Sequence, residues 1–241
     1  MRGLTAFAAG AALAAATAGC GPADGGTAAG GTASPSAGAS GDGKPGPGAD
    51  RLKELLLEPG AQAGPYEVEE PLLDEPFSEL YDASPAVCGP LTSLAKAGHT
   101  AQAYGSVGVP DKPLEVSMDI LLRSYKDGAA AGAVMKSLAE AGARCAGGYK
   151  EERAVTDAPV LRVEKVPAPA IGDEALAYRI VVQDVKDKDI SLYEYLTLVR
   201  TGPVTLSFRS DIVATDDFGG VPQEIVTAQW QRLARGTGSG S

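Results

Sequence analysis

The chain has 241 residues, a formal net charge of -10 and 44% hydrophobic residues, with three Cys, one His and no Asn. This balance excludes a binder of nucleic-acid phosphates, which needs a basic stripe, and it weighs against broad docking on anionic lipid headgroups. The lack of Asn removes any N-glycosylation acceptor, and a lone His leaves little room for a zinc set or for a His-dependent nucleophile.

Residues 1–19 read as an export leader. Met1 and Arg2 make a short positive start, and an uncharged run of small and apolar residues ends in Thr17-Ala18-Gly19-Cys20. The run is too short and too poor in large apolar side chains to span a bilayer, which takes about 20 predominantly apolar residues. The small residues directly before Cys20 resemble the lipobox of bacterial lipoproteins, where a diacylglyceryl group alkylates the thiol before cleavage. Such chemistry needs a nucleophilic sulfur within reach of a lipid donor and small neighbours that fit a protease cleft. Thr17 stands where the motif usually has Leu. The resemblance implies a protein held on the extracytoplasmic face of the cell membrane by lipid on Cys20, and two acyl chains make a durable anchor at about 0.8 kcal/mol per buried CH₂. The competing reading is an ordinary leader cut after Ala16 or Ala18, with Cys20 a free thiol.

Residues 20–50 are rich in Gly, Ala, Ser and Pro and read as a disordered tether, its ends on the order of 30 Å apart on average. Residues 51–235 form the folding unit, large enough to bury roughly 70% of the surface of its unfolded chain. Residues 236–241 are a flexible Gly/Ser tail.

Within the unit, Asp50 is placed to cap a short helix over 51–57, with Leu52, Leu55 and Leu56 on one face. The acidic, Pro-broken stretch 64–85 reads as an extended connection. A short helix follows over 90–97, then strands over 101–108 and 114–125. In the second strand Val116, Met118, Ile120 and Leu122 alternate with Ser117, Asp119 and Arg123, the period-2 pattern of a half-buried strand. A helix with Val134, Met135, Leu138 and Ala141 at helical spacing spans 128–143. Strands over 160–165, 174–183, 192–200 and 204–210 read as an antiparallel meander closed by a Thr201-Gly202 turn, and a helix over 222–234 ends the unit. Helices before and after a run of strands imply an α+β single domain, a mainly antiparallel sheet packed by several helices.

With Cys20 taken by lipid, Cys88 and Cys145 form an even pair in an oxidising compartment, and a disulfide is expected between them. No constellation points to a metal or cofactor, and none is expected. His99 lies in a turn without a partner set in view, and no phosphate loop or zinc-protease motif occurs. Asp184, Asp187 and Asp189 crowd one loop but lack the calcium-loop spacing, so they read as a solvated hairpin loop. The densest acidic run is Glu67, Glu69, Glu70, Asp74, Glu75, Glu79 and Asp82. It either faces a cationic partner or forms a solvated surface, and the second reading is preferred. Tyr178, Tyr193 and Tyr195 lie on neighbouring predicted strands. They read as cross-strand packing, with an amphipathic pocket as the alternative.

The order of these features resembles a group of actinobacterial extracytoplasmic domains, found as free lipoproteins and as the outer sensor part of mycobacterial serine/threonine protein kinases. The residues that carry it are the Leu-rich helix 52–57 followed by Gly64-Pro65-Tyr66, Cys88 before a short helix, Tyr125, and the Ala-rich helix leading to Cys145. Ile171-Gly172-Asp173-Glu174-Ala175 opening a strand, and the final strand pair, complete it. The resemblance implies an α+β domain with a ligand-accepting cleft and no catalytic residues. One Cys pair stands where the kinase sensors typically have two, and neither a kinase domain nor a membrane helix is read. The expected function is that of a membrane-anchored, non-enzymatic ligand-binding or sensor-like module of the cell envelope, with an unknown small molecule or protein as ligand. The alternatives are an envelope hydrolase acting on cell-wall polymers and a structural or apolar-ligand carrier lipoprotein.

Overall fold

A computed structural model describes residues 43–110, 117–211, 217 and 219–238. Cys20, the leader, most of the expected tether and residues 114–116 of the second predicted strand lie outside the described residues. In chain order the elements are α1 (Ala49–Leu55), β1 (Gln62–Ala63), β2 (Tyr66–Glu69), a 3-10 turn (Phe77–Leu80), β3 (Asp82–Ser84) and a second 3-10 turn (Ala86–Cys88). The latter runs into α2 (Gly89–Thr92), followed by β4 (Ala101–Gly108), β5 (Ser117–Ser124), α3 (Gly128–Arg144), β6 (Tyr149–Glu152) and β7 (Ala158–Val166). The last are β8 (Glu174–Gln183), β9 (Ser191–Thr201), β10 (Val204–Asp211) and α4 (Gln223–Thr237).

The strands form one antiparallel sheet in the order β1-β2-β4-β5-β10-β9-β8-β7-β6-β3. Side chains alternate across a strand, and the two faces of the sheet bury two separate cores. Leu176, Tyr178, Ile180 and Val182 of β8, with Leu196 and Leu198 of β9, pack beneath Ala131, Met135, Leu138 and Ala141 of α3. On the other face Tyr195, Val199, Leu206 and Phe208 meet Leu52 and Leu55 of α1 and Ile225, Val226 and Leu233 of α4. The sheet is therefore the middle of three layers, as the apolar faces of α1, α3 and α4 require. Asp127 caps α3 by accepting the Ala130 N–H at 2.7 Å. Near its other end Gly142 lets the helix lie on the Tyr178 ring, which a Cβ at that position would strike.

The predicted meander is present, and β8 has the predicted bounds. Four expectations change. The stretch 64–85 holds β2, the first 3-10 turn and β3 as well as connections. The helix expected over 90–97 is the single turn α2, since Ser93 adopts extended geometry and turns to Glu79. Asp50 lies inside α1, whose N-cap is Gly48, because the chain is already docked upstream: the Gly46 N–H reaches Tyr125 O at 3.0 Å and Ser124 Oγ donates to Pro47 O at 2.6 Å. The strand β5 is buried on both faces, with Asp119 and Arg123 covered like their apolar neighbours.

Candidate functional site

The part of the sheet formed by β4, β5, β10 and β9 carries polar side chains on the face that α2 and the first 3-10 turn cover. A buried charge persists only where a partner meets it, and here the partners come from the covering segment. Arg123, 1% exposed, has its Nη2 3.1 Å from Glu79 Oε2, and its Nε donates to Gln102 Oε1 at 3.2 Å. The same Glu79 oxygen accepts the Ser93 hydroxyl and the Leu94 N–H, each at 2.9 Å. Arg209 pairs with Glu194 at 3.1 Å and donates through Nη2 to Leu91 O at 2.5 Å. Thr92 Oγ1 donates to Tyr149 Oη at 2.9 Å, and burial pushes the Tyr149 phenol well above its usual pKa. These contacts bolt residues 79–94 to the sheet at three places, Glu79, Leu91 and Thr92.

The bolted segment is one wall of a groove of about 720 Å³. Ala86, Gly89, Pro90 and Leu94 form that side, and Ala130, Ala133, Val134 and Ser137 of α3 form the other. Positions 130, 133, 134 and 137 share one helix face by their spacing, and small residues at 130 and 133 leave the hollow open. The mouth carries Asp82, Lys96 and Glu152. Asp82 and Lys96 are ion-paired with each other, and Glu152 pairs with Lys150 at 3.0 Å. A cavity of this size, lined mainly by small and apolar residues with a few polar and charged groups among them, suits a small molecule with an apolar body and polar substituents.

Cys88 and Cys145 are joined by a disulfide, as expected, with a Cα–Cα distance of 5.9 Å. The bond ties the turn before α2 to the C-terminal end of α3, and so fixes the two walls of the groove against each other. The other residues singled out in the sequence do not converge on it. Half-buried His99 lies just beyond the groove wall. Burial first, and then the Arg123 charge, lower its pKa, and its Nδ1 has no hydrogen-bond partner among the described residues. Asp184 accepts the N–H groups of Lys186 and Asp187 at 2.8 Å each, which holds its carboxyl below the usual range, and Asp187 accepts the Asp189 N–H at 3.0 Å. These aspartates shape the β8–β9 hairpin. Among the described residues no group of three or more His, Cys, Asp or Glu is placed to hold a metal ion, and no helix is long and apolar enough to cross a membrane.

Tyr178 packs in the core beneath α3, whereas Tyr193 and Tyr195 pack on the opposite core. Tyr193 lies under the Arg179 guanidinium, 4.7 Å from ring centroid to carbon. Burial, reinforced by the adjacent Asp217 carboxylate, pushes the Tyr195 phenol up to about 12. The acidic run splits: Glu79 is a buried anchor, Asp82 sits at the groove mouth, and Glu69, Glu70 and Asp74 are exposed. Arg123 and Arg209, which hold the groove wall, were not found by sequence reasoning. The signal that pointed to burial was Leu121, which shares a strand face with Asp119 and Arg123.

No protein-family model matches the chain, and no curated protein matches it. Among solved structures it is similar to the extracellular domain of PknH from Mycobacterium tuberculosis, at 12% identity and a TM-score of 0.56, over 81% of this chain and 99% of that one. It also aligns with the Rv0999 ortholog from Mycobacterium smegmatis, at 11% identity over 72% of this chain and 84% of that one, with a TM-score of 0.33, too low to mark a shared fold. The fold of this chain is that of the PknH extracellular domain, as the resemblance read from its sequence implied.

Proposed function

We propose that the protein is a membrane-anchored extracytoplasmic lipoprotein that works as a non-enzymatic ligand-binding or sensor-like module of the cell envelope. The observation that carries this reading is the groove between α3 and the segment 86–98, with its small apolar lining and charged mouth. Asp82 and Lys96, two of the three charged groups at its mouth, are engaged with each other rather than poised against a nucleophile, which favours binding over catalysis. The likeness of fold to an extracellular domain and the Cys88–Cys145 bond support an oxidising, extracytoplasmic location. Lipid on Cys20 would hold the protein to its membrane, with the Gly-, Ala- and Ser-rich residues between Cys20 and the docked Gly46 spacing the domain from the bilayer.

The anchor is tested by intact mass of membrane-extracted protein, which should show a diacylglyceryl adduct at Cys20. A Cys20→Ala protein should leave the membrane fraction, and its tight retention there would remove the anchor. The groove is tested by amide-shift mapping during titration with Nile red, a neutral apolar probe. Shifts should concentrate at 86–98 and 130–137; shifts confined to other surfaces would remove the ligand site.

A further inference from the structure

A second surface, separate from the groove, lies where residues 70–76 leave β2. Pro71 and Pro76 keep this stretch from continuing the strand, and it presents Leu72, Leu73 and Phe77 to solvent at 99, 46 and 66% exposure. A single exposed Leu is ordinary, but three large apolar side chains within six residues around one hollow are not. Leu72, Leu73 and Phe77 line a hollow of about 400 Å³ whose other side includes Tyr104 and Asp119. Leu72 and Leu73 also border an adjoining hollow of about 660 Å³, with Leu56 and Leu57.

The surroundings of this apolar surface have one sign. Glu69, Glu70, Asp74 and Glu75 line the two hollows, and none of the four is ion-paired among the described residues. Lys53 is the one basic side chain lining either hollow among the described residues, and the sequence has no Lys or Arg between Lys53 and Lys96. Carboxylates placed around apolar side chains repel an anionic lipid surface. A second copy docked symmetrically would set the same carboxylates against one another, a like-charge contact that costs several kcal/mol.

We propose that this surface docks a basic amphipathic segment of a partner protein. Its apolar side chains seat on Leu72, Leu73 and Phe77, while its Lys or Arg side chains meet Glu69, Glu70, Asp74 and Glu75. The geometry is that of an apolar helix stripe laid in a groove, with the charges giving orientation and a salt-dependent rate of association.

The test uses the full chain and a synthetic amphipathic helix of Leu and Lys, with a Leu/Glu peptide of the same pattern as control, followed by calorimetry at physiological salt. The Leu/Lys peptide should bind and the Leu/Glu peptide should not. Leu72→Ser with Phe77→Ser, and separately Glu70→Lys with Asp74→Lys, should each weaken binding by about tenfold or more. An equal charge reversal elsewhere, Glu140→Lys with Asp157→Lys, should change it by less than about twofold. All six side chains are exposed, so the fold should survive each change. The proposal is overturned if the wild type fails to bind, if the two reversals weaken binding alike, or if loss of Leu72 and Phe77 has no effect. Binding of phosphatidylglycerol vesicles that depends on the same leucines would also overturn it, in favour of a lipid surface.

Discussion

Glu79 and Arg123 lie 3.1 Å apart with their side chains 4% and 1% exposed, and the same carboxylate oxygen holds the hydroxyl of Ser93 and the N–H of Leu94. One ion pair thus joins the sheet to the wall of the groove. Breaking such a pair from one side leaves the other charge buried, at a cost of about 3–5 kcal/mol. Arg123→Leu should therefore lower the urea midpoint sharply, and the double change Arg123→Leu with Glu79→Leu should be less destabilised than the sum of the two single changes. Additive losses in that cycle would show that the two side chains are not coupled.

The Cys88–Cys145 bond closes a loop with a sequence separation of 57 residues. Chain entropy alone gives such a closure about 4 kcal/mol of stability, and often less in practice. Unfolding by urea with and without reductant should show a loss of that order, and the doubly substituted Cys88→Ala, Cys145→Ala protein should match the reduced wild type. A reduced protein as stable as the oxidised one would contradict this.

Gly142 supplies a prediction whose sign runs against helix propensity. In an ordinary helix interior Gly→Ala stabilises by up to about 1 kcal/mol. Here the added Cβ would meet the Tyr178 ring, so Gly142→Ala should instead destabilise by about 1–3 kcal/mol. Thermal unfolding reads the difference, and Tyr178→Leu in the same chain should recover part of it.

His99 gives the domain a defined pH response. Burial, followed by the nearby Arg123 charge, lowers its folded pKa below the ordinary value of about 6.5. A lowered pKa on a base means that the folded state disfavours the proton. The contribution to stability is full above the unfolded value and is lost as the pH falls through the folded one. Urea midpoints of the wild type should therefore drop between about pH 7.5 and pH 5 by more than those of His99→Gln. Parallel profiles would rule out a role for His99 in that window.

Period-2 alternation located β8 with its bounds, because Leu176, Tyr178, Ile180 and Val182 all serve one core. The α3 stripe and the Cys pair were legible for similar reasons, one from spacing and one from parity. Strands β1, β3 and β6 are two to four residues long, too short for alternation to stand out from noise, and they were missed as elements. The reading of 90–97 as a helix failed because Glu79, some fourteen residues earlier, draws Ser93 and Leu94 away from helical geometry. The groove was invisible for a different cause. It exists where Ala130 and Ala133 lack bulk, and an absence of side chain acquires meaning only when the facing wall is in place.

Titration of the intact domain with Nile red, comparing wild type and Ala133→Trp, tests the ligand groove most directly. Ala133 is exposed on α3, so the Trp variant should keep its fold by circular dichroism while filling the hollow. Wild type should show saturable fluorescence enhancement, Ala133→Trp should lose it, and the combined Leu72→Ser, Phe77→Ser protein should retain it. Equal binding by wild type and Ala133→Trp would contradict a ligand site in the groove.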